Sequence, residues 1–541
     1  MIKNIIILIM ALAPFRLHSA FKAIGCSDYL PYDDKTVLII FNQMVDENSA
    51  SIDKFRLNSS LYPTSIKVDA NIIELKFNYI FREGQTNQIS ISKFLKSQNG
   101  EYIDVNSRSI NFEVVDIEKA ANYISDCVLS DGAVTIKKPS FASHIDIIPY
   151  FATFAAFGLL KAYEISLKTE YLNKVKSFLE WYISHINPDG TIYDYSGTYP
   201  SYSSTGNMDS TDSYAALFIL LCYKYYKYSN DKTFLANNYS AIKKIKGAIY
   251  LTIDKSDYLT YAKPGWVEKY FMDNLEVYLG LLAYRNIINI LGKKEDLEEV
   301  NKHLAIEKES IPNFYLKDYN AYAISKSTNG SYGVLTDGQY PYAMAQNFAL
   351  YYFHKYEDEL FGNLWATILS KIFSNGIVPE GELSGTFWWT LNAKKTGDNK
   401  ILKQCIVKFK SEISSDDVTS YLMGQYILAI YGDIMLLEDS EIFKTSESLN
   451  EYKPKGIVYP NPVRLNDGQV KIKLENFAFI KNIKIYDIRG DKIVEYSKID
   501  KQLYEWDLRD YRGNLVSAGS YFCIIEDENG NKIATKLVII K

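Results

Sequence analysis

The 541-residue chain is expected to fold as a multidomain protein: a central all-α ring of six helical hairpins flanked by two all-β sandwiches. Three observations predict this. Short period-two runs fill residues 28–115 and 456–541, a 3.6-residue period takes over across 116–437, and within that span buried and amphipathic helices alternate six times. Hydrophobic residues make up 47% and charged residues 23%, an ordinary globular balance that excludes general disorder. Sixty Lys+Arg against 65 Asp+Glu leave a net charge of −5, without the basic excess that a nucleic-acid partner requires. The five cysteines, at 26, 127, 222, 405 and 523, share no CxxC or Cys/His spacing. A zinc module or disulfide scaffold is therefore not expected, and with no phosphate loop and no GxSxG, neither cofactor nor metal is. The 45 tyrosines fit either a sugar-stacking surface or a Lys/Asn/Ile/Tyr-biased genome.

Met1 to Ala20, MIKNIIILIMALAPFRLHSA, has the charged start, short apolar core and small terminal residue of a secretory signal peptide, residues 1–20. The apolar run is too short to span a bilayer, which takes about 20 residues. Cys26 after Ala23-Ile24-Gly25 resembles a lipoprotein cleavage box, against which stand Arg16, His18 and Lys22. The protein is expected to be secreted or displayed at a bacterial cell surface. Residues 28–115 contain TVLIIFNQMVD, FRLN, SIKVD, NIIELKFN, NQISISKF and INFEVV, separated by polar and glycine turns, as an antiparallel sandwich requires. TVLIIFNQMVD followed by FRLN resembles the bacterial Ig-like domains of surface enzymes. No chemistry-bearing cluster lies there, so it reads as a spacer or a carbohydrate-facing accessory.

In residues 116–437, PYFATFAAFGLLKAYEISL is apolar all round, whereas YLNKVKSFLEWYISHI carries one apolar stripe. Buried helices are expected from near Ile147, Thr211, Met272, Tyr340, Gly385 and Val418, each preceded by a charged one near Ile117, Glu170, Asp231, Lys293, Tyr356 and Asp398. Repeated loops follow the outer helices: SDGAVTI, PDGTIYD, SDYLTYA, TNGSYGV and SNGIVPE. Four carry glycine at the third position, read as left-handed helix caps. A closed ring hides the second face of each buried helix, and an open stack lacks the polar end-caps it would need.

GNMDSTDSYAALFILLCYKYY, GTIYDYSG, WVEKYFMDNLEVYLGL and YPYAMAQNFAL resemble the six-hairpin, (α/α)6-toroid glycosidases. The resemblance implies a carbohydrate substrate or ligand and, for hydrolysis, inversion. The superfamily also holds lyases, epimerases and members without known chemistry. Residues 438–455 form a polar linker. In 456–541, Tyr459-Pro460-Asn461-Pro462, Tyr486-Asp487 with Gly490, and Gly519 before Tyr521 and Phe522 resemble the FlgD-like Ig module and the type IX secretion sorting domain. That implies contact with the cell envelope or secretion machinery.

In such a ring the loops leading to the inner helices meet at one mouth. Glycoside hydrolysis needs one carboxyl held protonated and another ionised, and burial with mutual repulsion separates two such acids. Asp209 and Asp212, three apart at a buried helix start, are the first catalytic candidates; N-capping is the competing reading. Asp273 and Glu276 repeat that spacing in FMDNLEVYLG, where a capping box is the alternative. Asp337 in LTDGQYPY is a catalytic candidate or a turn residue. Related toroids carry an acid after Tyr-Pro, but this chain has Tyr342 after Pro341, which puts complete catalytic machinery in doubt. His144, Asp194, Glu380 and Glu382 are candidate binding residues, with His144 also readable as structural and the two glutamates as solvated. Tyr195, Trp266, Tyr340, Tyr342 and Trp388 would floor a sugar cleft by stacking, unless they pack the core. The chain thus reads as an exported glycosidase, with a non-catalytic glycan-binding protein and a lyase or epimerase as the other readings.

Overall fold

The computed structural model describes residues 20–82, 84–140, 143–353, 359–374, 376–379, 385–415, 417–437, 455–459, 461–475, 480–497, 503–527 and 532–541. Most of the expected signal peptide, Glu380, Glu382 and nearly all of the expected linker lie outside them.

Seven strands open the described chain: β1 (Ala23–Tyr29), β2 (Asp33–Phe41), β3 (Phe55–Leu57), β4 (Ser65–Asp69), β5 (Ile72–Lys76), β6 (Thr86–Ile91) and β7 (Ser109–Glu113). They form two antiparallel sheets, ordered β1-β2-β5-β4 and β3-β6-β7. Strand alternation sends Val37, Ile39 and Phe41 into a core shared with Phe55 and Ile89. The other face of β2, Leu38 and Ile40, joins Ile72 in the helical core instead. A strand buried on both sides ties the sandwich to the helices, so it is no free spacer. Polar groups reinforce the contact: Asn71 Nδ2 donates to Gln404 Oε1 at 3.1 Å, and the buried Lys410 ammonium pairs with the buried Asp28 carboxylate. Phe21 and Cys26 lie in the sandwich core, so lipoprotein cleavage before Cys26 would strip a core ring and the start of β1.

Twelve α-helices follow: α1 (Ile117–Cys127), α2 (Pro149–Ser166), α3 (Thr169–Ser184), α4 (Asp212–Ser229), α5 (Lys232–Tyr250), α6 (Phe271–Leu291), α7 (Leu297–Ser310), α8 (Met344–Tyr352), α9 (Glu359–Ile372), α10 (Thr386–Thr396), α11 (Asn399–Ile413) and α12 (Ser420–Tyr431). Each begins within four residues of its expected start. The even-numbered helices pack in succession, α2 on α4, α4 on α6, then α8, α10 and α12, and α12 returns to α2. Each odd-numbered helix packs on the even one beside it. Glycines permit the tightest crossings: a Cβ on Gly158 of α2 would lie 2.5 Å from Gly424 Cα of α12. At the α4–α6 crossing Gly280 faces Ala216 equally closely.

The loop glycines do a different job from the one expected of them. Gly132 and Gly190 lie several residues beyond α1 and α3 at positive φ, and a Cβ there would strike the carbonyls of Ser177 and Lys244 on the next outer helices. They allow close docking between hairpins. The left-handed C-caps belong to inner helices, at Leu167, Asn230, Gly292 and Gly397. At the far end of the circuit, residues 432–437 bury Ile434, Met435 and Leu437 in the helical core. Tyr351 of α8 donates to Asp433, and Lys224 of α4 donates to the Leu436 carbonyl at 2.6 Å.

The carboxy-terminal unit, from residue 444, is a sandwich of its own. One sheet pairs Lys455–Tyr459, Val470–Glu475 and Leu503–Trp506; the other orders Val463–Arg464, Lys532–Ile540, Gly519–Asp527, Ile480–Asp487 and Lys492–Ser497. Trp506, Ile485, Cys523 and Leu537 fill the space between them.

Candidate functional site

Long connections gather where the inner helices begin, and short strands brace them. The strand β8 (His144–Ile147) pairs with β9 (Tyr195–Thr198), placing Asp146 opposite Ser196. Next to β9 stands Asp194, half-buried, its Oδ1 accepting from the Tyr214 hydroxyl at 3.0 Å. Burial pushes the Asp194 carboxyl up to about 6; the Tyr214 bond and Lys263 oppose this, while the charges of Asp209 and Asp146 add to it. Asp209 itself is exposed, and its charge also acts on Tyr214, Asp273 and Tyr340. Asp209 thus lies near enough to act electrostatically on both Asp194 and Asp273.

Asp273 occupies the first turn of α6, half-buried, and receives no hydrogen bond from any other described residue. Burial, then the charges of Asp212, Glu276 and Asp209, hold its carboxyl well above the usual carboxylate range. It caps nothing: the N-cap of α6 is Tyr270, which makes no side-chain cap bond. One turn deeper, Glu276 shares its face as the spacing predicted but is only 1% exposed. Its Oε1 accepts from the Tyr150 hydroxyl at 2.9 Å, and burial pushes it up to about 8. Glu276 is thus a buried member of the helical core, hydrogen-bonded to Tyr150 and closed off from solvent.

Asp212, expected to point inward as a catalytic acid, has no exposed surface. Oδ1 accepts from Ser210 Oγ at 2.6 Å and from the Ser213 amide at 2.9 Å, and Oδ2 accepts from Thr260 Oγ1 at 2.6 Å. Burial still pushes it up to about 6. With both oxygens taken, it anchors the turn that carries Asp209 and joins it to the α5–α6 connection. Capping falls to Ser210, whose Oγ accepts from the Ser213 amide at 3.2 Å, and not to Asp209.

Asp337 is exposed in the turn before Gly338 and makes no hydrogen bond to these acids. His144 is exposed, its Nε2 3.3 Å from Asp146 Oδ1. Among the aromatics, Tyr340 is 68% exposed and Trp266 53% exposed, with Trp266 Nε1 donating to the Tyr270 hydroxyl at 3.1 Å. Tyr340 feels the charges of Asp273 and Asp209, and Trp266 connects to the same group through Tyr270. Tyr342 and Trp388 do not: Tyr342 is fully buried beneath Lys371, and Trp388 packs on Phe348 at 4.1 Å between ring centres. A ring without an exposed face cannot stack on a sugar. Tyr195, although adjacent to Asp194, turns away from it into a cluster with Trp181, His185 and Tyr202.

Sequence reasoning missed Tyr150, Tyr214, Tyr270, Thr260 and Lys263, whose Nζ donates to the Met208 carbonyl at 2.7 Å. A signal existed for two of them. Tyr150 and Tyr214 occupy the first turns of α2 and α4, as Asp273 does in α6. In apolar helices such tyrosines read as core.

No curated protein sequence matches the chain. One solved structure similar to it is PorZ, a surface component of the type-IX secretion system of Porphyromonas gingivalis: 24% identity, TM-score 0.15, covering 16% of this chain and 11% of that one. An inactive variant of the alpha-1,6-mannanase of Salegentibacter sp. HEL1_6, in complex with alpha-1,6-mannotetrose, is 12% identical at TM-score 0.39, covering 59% and 99%. A polysaccharide lyase is 10% identical at TM-score 0.42, covering 75% and 64%. None of the described helices is long and apolar enough to cross a membrane. Residues 457–541 match the secretion system C-terminal sorting domain, which marks the protein as secreted or cell-surface and gives it a contact with the secretion machinery.

Proposed function

We propose that the chain is an exported glycosidase, an (α/α)6 toroid between two Ig-like sandwiches, that cleaves a poly- or oligosaccharide with Asp273 and Asp209. One observation carries this reading: Asp273, half-buried in the first turn of α6 and hydrogen-bonded to no other described residue, has its carboxyl held well above the usual carboxylate range by burial and by charges that include the exposed Asp209, and both acids act on the exposed Tyr340. Asp273 gives its proton to the glycosidic oxygen as the bond to the anomeric carbon breaks. Asp209 accepts the proton of the attacking water. Tyr340 and Trp266 supply flat apolar faces for sugar rings at the rim. Asp194, steadied by Tyr214, is the third acid and orients the substrate by accepting hydroxyl hydrogen bonds.

Asp273→Asn and Asp209→Asn are each expected to lower release of sugar from a glycan panel by about 10²–10⁴-fold, the range for loss of a general acid or base. Full activity in either variant removes that residue from the mechanism. Asp337→Asn is expected to leave activity unchanged.

A further inference from the structure

We infer that the mouth takes a glycan bearing no negative charge, and so excludes polyuronates and sulfated sugars; the inference rests on the carbohydrate reading above. Three ionised acids gather there: the β8–β9 pairing sets Asp146 beside Asp194, and the Asp194 amide donates to the Asn207 carbonyl at 2.8 Å, which brings Asp209 alongside, the charges of Asp146 and Asp209 both acting on Asp194. Against them stands Lys263, whose ammonium is already held by the Met208 carbonyl and by attraction to Asp194. Arginine, with its planar fork of donors, is the side chain best matched to a sugar carboxylate or sulfate. Between residues 116 and 437 the sequence has one, Arg285. It sits twelve residues along α6 from Asp273, roughly 18 Å down the helix at about 1.5 Å per residue.

Two other cationic features do not change the balance. The imidazole of His144 faces the Asp146 carboxylate. Asp212 in the first turn of α4 answers the dipole of that helix, while the first turns of α2, α8, α10 and α12 carry no acid and add only the partial charge of a helix end, outweighed by three full carboxylate charges. An anionic sugar entering here would meet like charge, an arrangement that proteins use to reject a ligand. The same shortage bears on β-elimination. Abstracting the proton beside a uronate carboxylate builds negative charge on that group, which needs a cation or strong donors to receive it. This mouth offers acids instead. A neutral sugar needs only hydroxyl acceptors and ring faces, which Asp194, Asp209, Tyr340 and Trp266 provide.

The test measures binding by calorimetry to full-length Asp273→Asn, at low and high salt. The ligands are neutral hexasaccharides of mannose, glucose, galactose or xylose, oligogalacturonate, and a sulfated heparin fragment. The expected result is binding of at least one neutral oligosaccharide, unchanged by salt, and binding of the anionic ones at least tenfold weaker at low salt. Asp146→Lys, which alters a side chain outside the proton-transfer pair, is expected to narrow that gap severalfold without changing the neutral affinity. Tighter binding of an anionic ligand, or neutral binding to none of the panel, overturns the inference. Sugar release by the unmodified chain is scored separately. Release from an anionic polymer alone would leave the glycosidase reading standing and sink this one; neutral binding without release does the reverse.

Discussion

Asp273 and its neighbours make the site sensitive to pH at the level of single residues. Asp212 is fully buried, yet its charge helps hold the Asp273 carboxyl above the usual carboxylate range. Asp212→Asn is therefore expected to move the alkaline limb of the kcat profile to lower pH, because Asp273 then loses its proton earlier. A merely structural role would lower kcat without moving that limb. Glu276 gives a stability prediction with a definite sign. Its carboxyl rises from the ordinary 4.5 to about 8 on folding, so between those values the folded state holds a proton that the unfolded chain has released. Stability then falls as pH climbs through that window. Asp194 and Asp212, each raised to about 6, add the same slope at lower pH. Thermal unfolding of Glu276→Gln is expected to show a shallower decline from pH 5 to pH 8 than the parent chain; an identical slope would contradict the assignment.

Hairpin packing is decided at the element scale by a few backbone contacts. Gly158→Ala places a Cβ against the backbone of Gly424, so α2 and α12 must separate. The expected cost is about 1–3 kcal/mol, outweighing the roughly 1 kcal/mol that alanine gains over glycine in a helix. Gly247→Ala in α5 meets nothing within 4 Å and is expected to stabilise by about 0.5–1 kcal/mol. Chemical denaturation of both variants tests the pair. The helices themselves were legible because inner and outer ones differ in how apolar they are around the axis, a property of each segment alone. Loop glycine placement was less so: a Gly near a helix end looks like a cap whether it caps that helix or docks on the next. The acids were half legible for the same reason. Spacing put Asp273 and Glu276 on one face of α6, but depth along the helix, which separates the half-buried carboxyl from the fully buried one, depends on the neighbouring helices.

Over the whole amino-terminal unit, the sandwich and helices behave as one body through β2 and the Asp28–Lys410 pair. Removing one partner leaves an uncompensated buried charge, so Lys410→Met is expected to destabilise by about 3–5 kcal/mol. Replacing both, Asp28→Leu with Lys410→Met, should recover much of that loss. Calorimetry should show sandwich and helices melting together; separate melting of residues 20–115 would refute the shared core. Pattern along the chain foresaw two structural classes here but not their fusion, since the second buried face of β2 resembles any strongly apolar strand. Residues 432–437 run from α12 to side chains of α8 and α4 and fill the base of the helical circuit with Ile434, Met435 and Leu437. For the glycosidase proposed above, a plug at that side would leave substrate and both products a single doorway, so that each cut strand would have to back out before the next could enter.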